Sequence, residues 1–167
     1  MKIKNLINKF GIYVILIIIF VFFAICTDSF LSPKNLFNIG RQVSMIGICA
    51  VGMTMVLLTG GIDISVGSII ALVGVVCAKL TVEGNIPFYL SAVLAILVGT
   101  LCGLIVGFMV MKFYVPPLIA TLAMQTIARG LAFILTGGIP VYGLPDSARF
   151  VGQGYIAGVP TPLILMV

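Results

Sequence analysis

An all-α fold is what this sequence predicts: a polytopic membrane helical bundle with about five full spans and the start of a sixth. Three observations predict it. The chain of 167 residues is 62% hydrophobic and only 8% charged, where a soluble domain carries about a quarter charged residues. Its apolar residues fall into long runs separated by short stretches rich in glycine, proline and polar side chains. Two neighbouring runs carry small residues at spacings of three or four, the pattern of membrane helices whose backbones approach closely.

The same composition excludes several functions. The net charge of +5 reflects scarce acids, Asp28, Asp63, Glu83 and Asp146, more than a basic patch. Lysines and arginines are spread over the whole length, so there is no nucleic-acid footprint. Cys26, Cys49, Cys77 and Cys102 lie in or at the edge of apolar runs, without a CxxC pair or any histidine. They read as small apolar packing residues, and no metal or cofactor is expected. No GxxxxGK[ST] loop is present, so the chain does not bind ATP by that motif.

Lys2, Lys4 and Lys9 precede the first apolar run, residues 10–26. A basic start, an apolar middle and small Ala24 and Cys26 would also suit a signal peptide. The run is long for a signal core, and more membrane follows it, so an uncleaved span with a cytoplasmic N-terminus is expected. In the connection over residues 27–42, Ser32-Pro33 is a helix start: serine can cap, and proline fits the first turn. A short interfacial helix is expected to lead from there into the second span, residues 43–59. The third span is expected at 65–80, the fourth at 87–111 and the fifth at 115–136. A Gly/Pro-rich loop follows over 137–159, and a last apolar segment occupies 160–167.

Alternation from a cytoplasmic N-terminus places 60–64 and 112–114 inside, and 27–42, 81–86 and 137–159 outside. Basic residues then number four on each side, at 2, 4, 9 and 112 against 34, 41, 79 and 149. The orientation therefore rests on the three lysines flanking the first span and on the short inside loops.

The fourth span carries Ser91, Ala95, Gly99, Gly103 and Gly107. Steps of four turn a helix by about 40° beyond a full circle, so these form one slowly winding stripe. Gly67, Ala71, Gly74 and Ala78 repeat the device on the third span. Glycine and alanine are common in membrane helices, but two stripes on neighbouring spans predict close packing.

On the fifth span, Thr121, Gln125, Ala128, Arg129, Ala132 and Thr136 fall within an arc of about 100° on a helical wheel. Ile119, Ala123, Ile127, Leu131 and Ile134 occupy the opposite, lipid-suited side. An arginine at this depth costs at least ~2.5 kcal/mol. Either it snorkels toward the helix end about two turns away, or it faces a pathway or a subunit interface. Thr121, Gln125 and Arg129 are the candidate pathway or interface face.

Between the second and third spans lies "VLLTGGIDISVGS", residues 56–68. Gly60 and Gly61 can end a helix with positive φ, and Asp63 or Ser65 can cap the next one. A well-capped turn at the membrane edge explains every residue in it.

The residues around that turn also carry a resemblance. "AVGMTMVLLTGGIDISVGSIIAL" (50–72) resembles a signature of the permease subunits of bacterial ribose-type ABC importers. "SPKNLFNIGRQVSMIGICAVGM" resembles that family's entry to its second span, and "VPPLIATLAMQTIARGLAFILTGGIPVYGLP" its fifth span and following outer loop. The resemblance covers nearly the whole chain. It implies a non-catalytic, multi-pass subunit of the bacterial inner membrane, part of the pathway of a ribose-like monosaccharide. The implied partners are cytoplasmic ATP-binding subunits, an extracytoplasmic sugar-binding protein and a second permease subunit. The turn of Gly60, Gly61, Asp63, Ser65 and Gly67 is then cytoplasmic, and Ala95, Gly99, Gly103 and Gly107 are a helix-packing stripe. Members of that family are roughly twice as long with about ten spans, so the chain is expected to be the N-terminal half of such a permease. Two other readings stand beside this one: a non-transporting membrane interaction protein or remnant, and an ion-coupled secondary carrier. The carrier would most naturally show membrane-embedded acids, and Asp63 sits at a span end.

Overall fold

The computed structural model describes residues 2–156 and 158–166, with side chains from Phe10 onward. The side chains of Lys2, Lys4 and Lys9, on which the orientation rests, and Val167 of the last apolar segment lie outside the described set. In chain order the elements are α1 Lys2–Cys26, α2 Pro33–Leu58, α3 Val66–Val82, α4 Phe88–Phe113, α5 Pro117–Thr136 and α6 Asp146–Gln153. Then come β1 Tyr155–Ile156, β2 Val159–Pro160 and α7 Thr161–Met166. The chain forms two compact units, Met1–Val43 and Ser44–Val167.

In the first unit, Ser32 begins α2 as a side-chain cap should. Its Oγ accepts the Asn35 N–H at 3.3 Å while its own hydroxyl donates to the Ser29 carbonyl at 2.7 Å. Proline at the first helical position then costs nothing, because that N–H would be unpaired anyway. Phe30 packs edge-on against Phe20, with ring centroids 5.2 Å apart, and stacks on Phe23. One departure from the sequence reading is that α2 runs unbroken from Pro33 to Leu58, with no separate interfacial helix before the second span. Gly40, Gly47 and Gly52 are the weakest helix formers in its interior, and each costs only about 1 kcal/mol.

The second unit is built around α3, which packs against both α4 and α5, while α4 and α5 also touch each other. Leu72, Cys102, Met124, Ala128 and Ala132 are buried together, flanked by Ile69, Val75, Val76, Val98 and Val106. Ser91 and Ala95 are buried too, at 0% and 1% exposure. The stripe on α4 is used unevenly. A Cβ at Gly99 would lie 2.8 Å from Val73 Cγ2, so glycine is what lets α3 come this close, whereas Gly103 and Gly107 have nothing within 4 Å. On α3 the branched residues, not the small ones, make the core. Positions 67 and 74 have open space around them.

Most large apolar side chains of α1, α2 and α4 are exposed, which only an apolar surrounding can accommodate. Helices α2, α4 and α5 are long and apolar enough to cross a bilayer. The apolar parts of α1, Phe10–Cys26, and of α3, Val66–Val82, are shorter. The molecule is an all-α, multi-spanning bundle, apart from the two-residue pairing of β1 with β2.

The packing at Gly99 has a direct consequence. Gly99→Ala should lower stability by about 1–3 kcal/mol through overpacking against Val73, while Gly103→Ala should be neutral or slightly stabilising. Thermal melting of the two variants in one detergent checks this, and equal melting points would show that α3 and α4 are not held by this contact.

Candidate functional site

The turn between α2 and α3 is closed by backbone first. Gly60, at φ +79°, gives its N–H to the Leu57 carbonyl, and Gly61 gives its own to Val56 at 3.2 Å. These two bonds make a Schellman ending, which needs the left-handed residue that glycine supplies without a Cβ clash. Asp63 then organises the entry to α3. Its Oδ1 accepts the Ser65 N–H at 2.8 Å and the Ser65 hydroxyl at 2.6 Å. Of the two residues able to cap, Ser65 therefore donates rather than accepts: it makes no side-chain cap bond to the helix and is fully buried.

The turn is also tied to α5. Thr121 Oγ1, 2% exposed, donates within reach of the Ile62 carbonyl at 3.3 Å and the Leu118 carbonyl at 3.2 Å. Pro117 comes within 3.8 Å of where a Gly61 Cβ would stand. A cavity of about 420 Å³ lies beneath the turn, walled by Gly61, Asp63, Gly103, Gly107, Pro117 and Thr121 among others.

A second cavity lies between α3 and α5. It is an open groove of about 550 Å³, walled on one side by Gly67, Ala71, Gly74 and Ala78 and on the other by Arg129, Ala132 and Thr136. Residues 138–141 close one end. From Gly67 to Ala78 the groove follows α3 for about 16 Å, half the thickness of a bilayer core. The small stripe of α3 thus opens space where the sequence pattern predicts contact.

The structure separates the candidate residues. Thr121 belongs to the turn and Arg129 to the groove, while Gln125 is half-buried and lines neither cavity. Gly67, grouped with the turn by sequence, is exposed on the groove wall. Ile119, Ile127, Leu131 and Ile134 are all exposed on the far side of α5. The groove itself was missed by sequence reasoning. Its available signal was that stripe and arginine lie on consecutive packed helices, but which helix faces meet is not written in either one.

Arg129 makes no hydrogen bond or ion pair among the described residues. Among the described residues, no acid lines the groove. Asp63 is committed to Ser65, Glu83 pairs with Lys79 at 2.6 Å at the end of α3, and Asp146 lies 3.9 Å from Arg149 in α6. Asp28 sits in the connection before α2. Thr136 Oγ1 donates to the Ala132 carbonyl at 3.0 Å and accepts the Gly138 N–H at 3.2 Å. Among the described residues no cluster of His, Cys, Asp or Glu could hold a metal.

Residues 35–153, which include both cavities, match the family described as branched-chain amino acid transport system / permease component. The chain belongs to this permease family. It is 42% identical over 166 residues to the ribose import permease protein of Bacillus subtilis, covering 96% of this chain and 50% of that protein. It is 42% identical over 145 residues to the ribose import permease protein of Escherichia coli K12, covering 84% and 44%. With the L-arabinose ABC transporter permease protein of Azospirillum brasilense it shares 34% over 159 residues, covering 95% and 47%. No solved structure matches. This permease chain spans about half the length of the curated relatives it matches, and it is a multi-pass protein of the bacterial inner membrane.

The turn's geometry predicts graded losses in this permease. Gly60→Ala should cost about 1–2 kcal/mol from the forced positive φ. Asp63→Ala should cost about 1–3 kcal/mol by stranding the buried Ser65 donors. Thr121→Val, which keeps shape and removes one hydroxyl, should cost about 1 kcal/mol. Chemical unfolding in detergent measures all three, and an unchanged Asp63→Ala would contradict its role as the acceptor.

Proposed function

We propose that this chain is the N-terminal half of the transmembrane permease subunit of an ATP-driven importer, and that it forms part of the translocation pathway for a ribose-like monosaccharide. The observation that carries this is the 42% identity to a ribose import permease over 96% of the chain. Similarity to permeases named for L-arabinose and xylose supports a monosaccharide and leaves the choice among pentoses open.

In this reading α1 to α5 are five spans and α7 begins a sixth. The N-terminus and the Gly60–Gly67 turn are cytoplasmic, and residues 137–159 face outward. Cytoplasmic ATP-binding subunits supply the energy, an extracytoplasmic binding protein delivers the sugar, and a second permease subunit completes the pathway. The permease does no chemistry on the sugar. The groove between α3 and α5 supports the pathway role, because it joins small residues to an arginine that hydrocarbon would penalise. Thr121 and the Ala95–Gly99 part of the α4 stripe serve to hold the helices that frame it.

A chimera tests the proposal. Residues 1–167, fused to the remaining half of the Bacillus subtilis ribose import permease, should restore labelled ribose uptake to cells lacking that permease. Uptake should depend on a working ATP-binding subunit. A chimera that reaches the membrane at normal level yet takes up no ribose, L-arabinose or xylose would refute the assignment.

A further inference from the structure

Among the described residues, Arg129 is the only formal charge lining the α3/α5 groove. The rest of the wall is small or apolar, with two hydroxyls, on Ser68 and Thr136. Thr136 is already engaged as donor and acceptor. The guanidinium, with five N–H donors and no acceptor, therefore sets the potential of the groove and, with the Ser68 hydroxyl, its free hydrogen-bonding capacity.

What occupies such a space is constrained by that charge. Lipid tails would leave the guanidinium unpaired in hydrocarbon, at the cost already given. Neither this half of the permease nor a second copy of it brings a carboxylate to the required depth. Arg129 lies about 10 Å from the end of α5 at Thr136, whereas Asp28, Asp63, Glu83 and Asp146 all sit outside the helix interiors or at a helix end. Water and hydroxylated solutes satisfy the donors without either problem.

We propose that the groove is water-filled and that Arg129 is its charge filter, admitting neutral and anionic hydroxylated solutes and rejecting cations. This rests on the pathway reading above and adds a specificity to it. Neutral monosaccharides pass with their hydroxyl oxygens accepting from the guanidinium. Acidic sugars are attracted, and protonated amino sugars are repelled over the groove's whole length, because no carboxylate on the wall offsets the charge.

Thiol labelling in membranes tests the filter in the chimera described above, without binding protein or ATP-binding subunits. Single cysteines replace Ala71 or Gly74, where space is open, in a chain whose own Cys77 is changed to alanine. They are reacted with anionic sulfonatoethyl or cationic trimethylammonioethyl methanethiosulfonate, and labelling is read by mass spectrometry. Both sites should label, with the anionic reagent favoured by about tenfold relative to a free thiol. Arg129→Gln should abolish the preference and Arg129→Lys should keep it, while Ile119→Cys on the lipid side of α5 should stay unlabelled. Labelling by neither reagent would overturn the water-filled groove, and a preference unchanged in Arg129→Gln would overturn the filter. Should Arg129→Gln fail to insert, Arg129→Ala and the charge-retaining lysine variant make the same comparison. These rates need no transport, so a chimera without uptake refutes the pathway reading alone, and lost charge preference refutes the filter alone.

Discussion

In hydrocarbon a leucine gains nothing by leaving lipid for protein, so membrane helices cohere only where their surfaces fit and their backbones can approach. In the second unit that constraint falls on α3. Its branched residues Ile69, Leu72, Val75 and Val76 meet the buried Cys102, Met124, Ala128 and Ala132. At Gly99 the absence of a side chain gives Val73 a seat on α4. With one face of α3 committed to this packing, its other face, the small one, is left to border open space. The groove is thus a by-product of the same fit that holds the bundle.

The second constraint is that a polar group inside a bilayer must find its partner within the protein. The turn from α2 to α3 meets it with few residues. The Schellman bonds of Gly60 and Gly61 satisfy helix-end carbonyls, Asp63 satisfies the buried Ser65, and Thr121 reaches the Ile62 carbonyl from α5. The last bond is the informative one. It joins residues 59 positions apart, so the turn serves as a tie between helices as well as a reversal of the chain. Stability and the position of α5 relative to α3 are linked at this end of the bundle.

Local features of the sequence were legible because their causes are local. Ser32-Pro33 begins a helix and Gly60 ends one for reasons contained in a few residues. The lipid face of α5 was readable because a single helical period separates it from the polar one. What could not be read was pairing. Thr121, Gln125 and Arg129 share a helix face, yet two turns of rise carry Thr121 into the turn and Arg129 into the groove. The stripe of α3 matches that of α4 in pattern, but only Gly99 has a neighbour close enough to need a glycine. Small residues permit approach without stating which helix approaches. Likewise, either Asp63 or Ser65 suited the cap, and the burial of Ser65 decided that it would donate.

Asp63 in the turn and Arg129 on the polar face of α5 differ in how their charge is engaged. Asp63 has its Oδ1 engaged by two donors of a neighbour two residues away, so its charge is spent on local geometry. Arg129 engages no hydrogen-bond or ion-pair partner among the described residues. Thr136, about two turns further on, closes its own helix end instead. A bundle that only needed to fold would gain by replacing this arginine with leucine, since nothing in the described fold repays its cost. Under the proposed pathway role, its presence on the wall of the groove, opposite backbone left bare by glycine and alanine, belongs with what moves through that space. The fold provides the wall, and the arginine provides its sign.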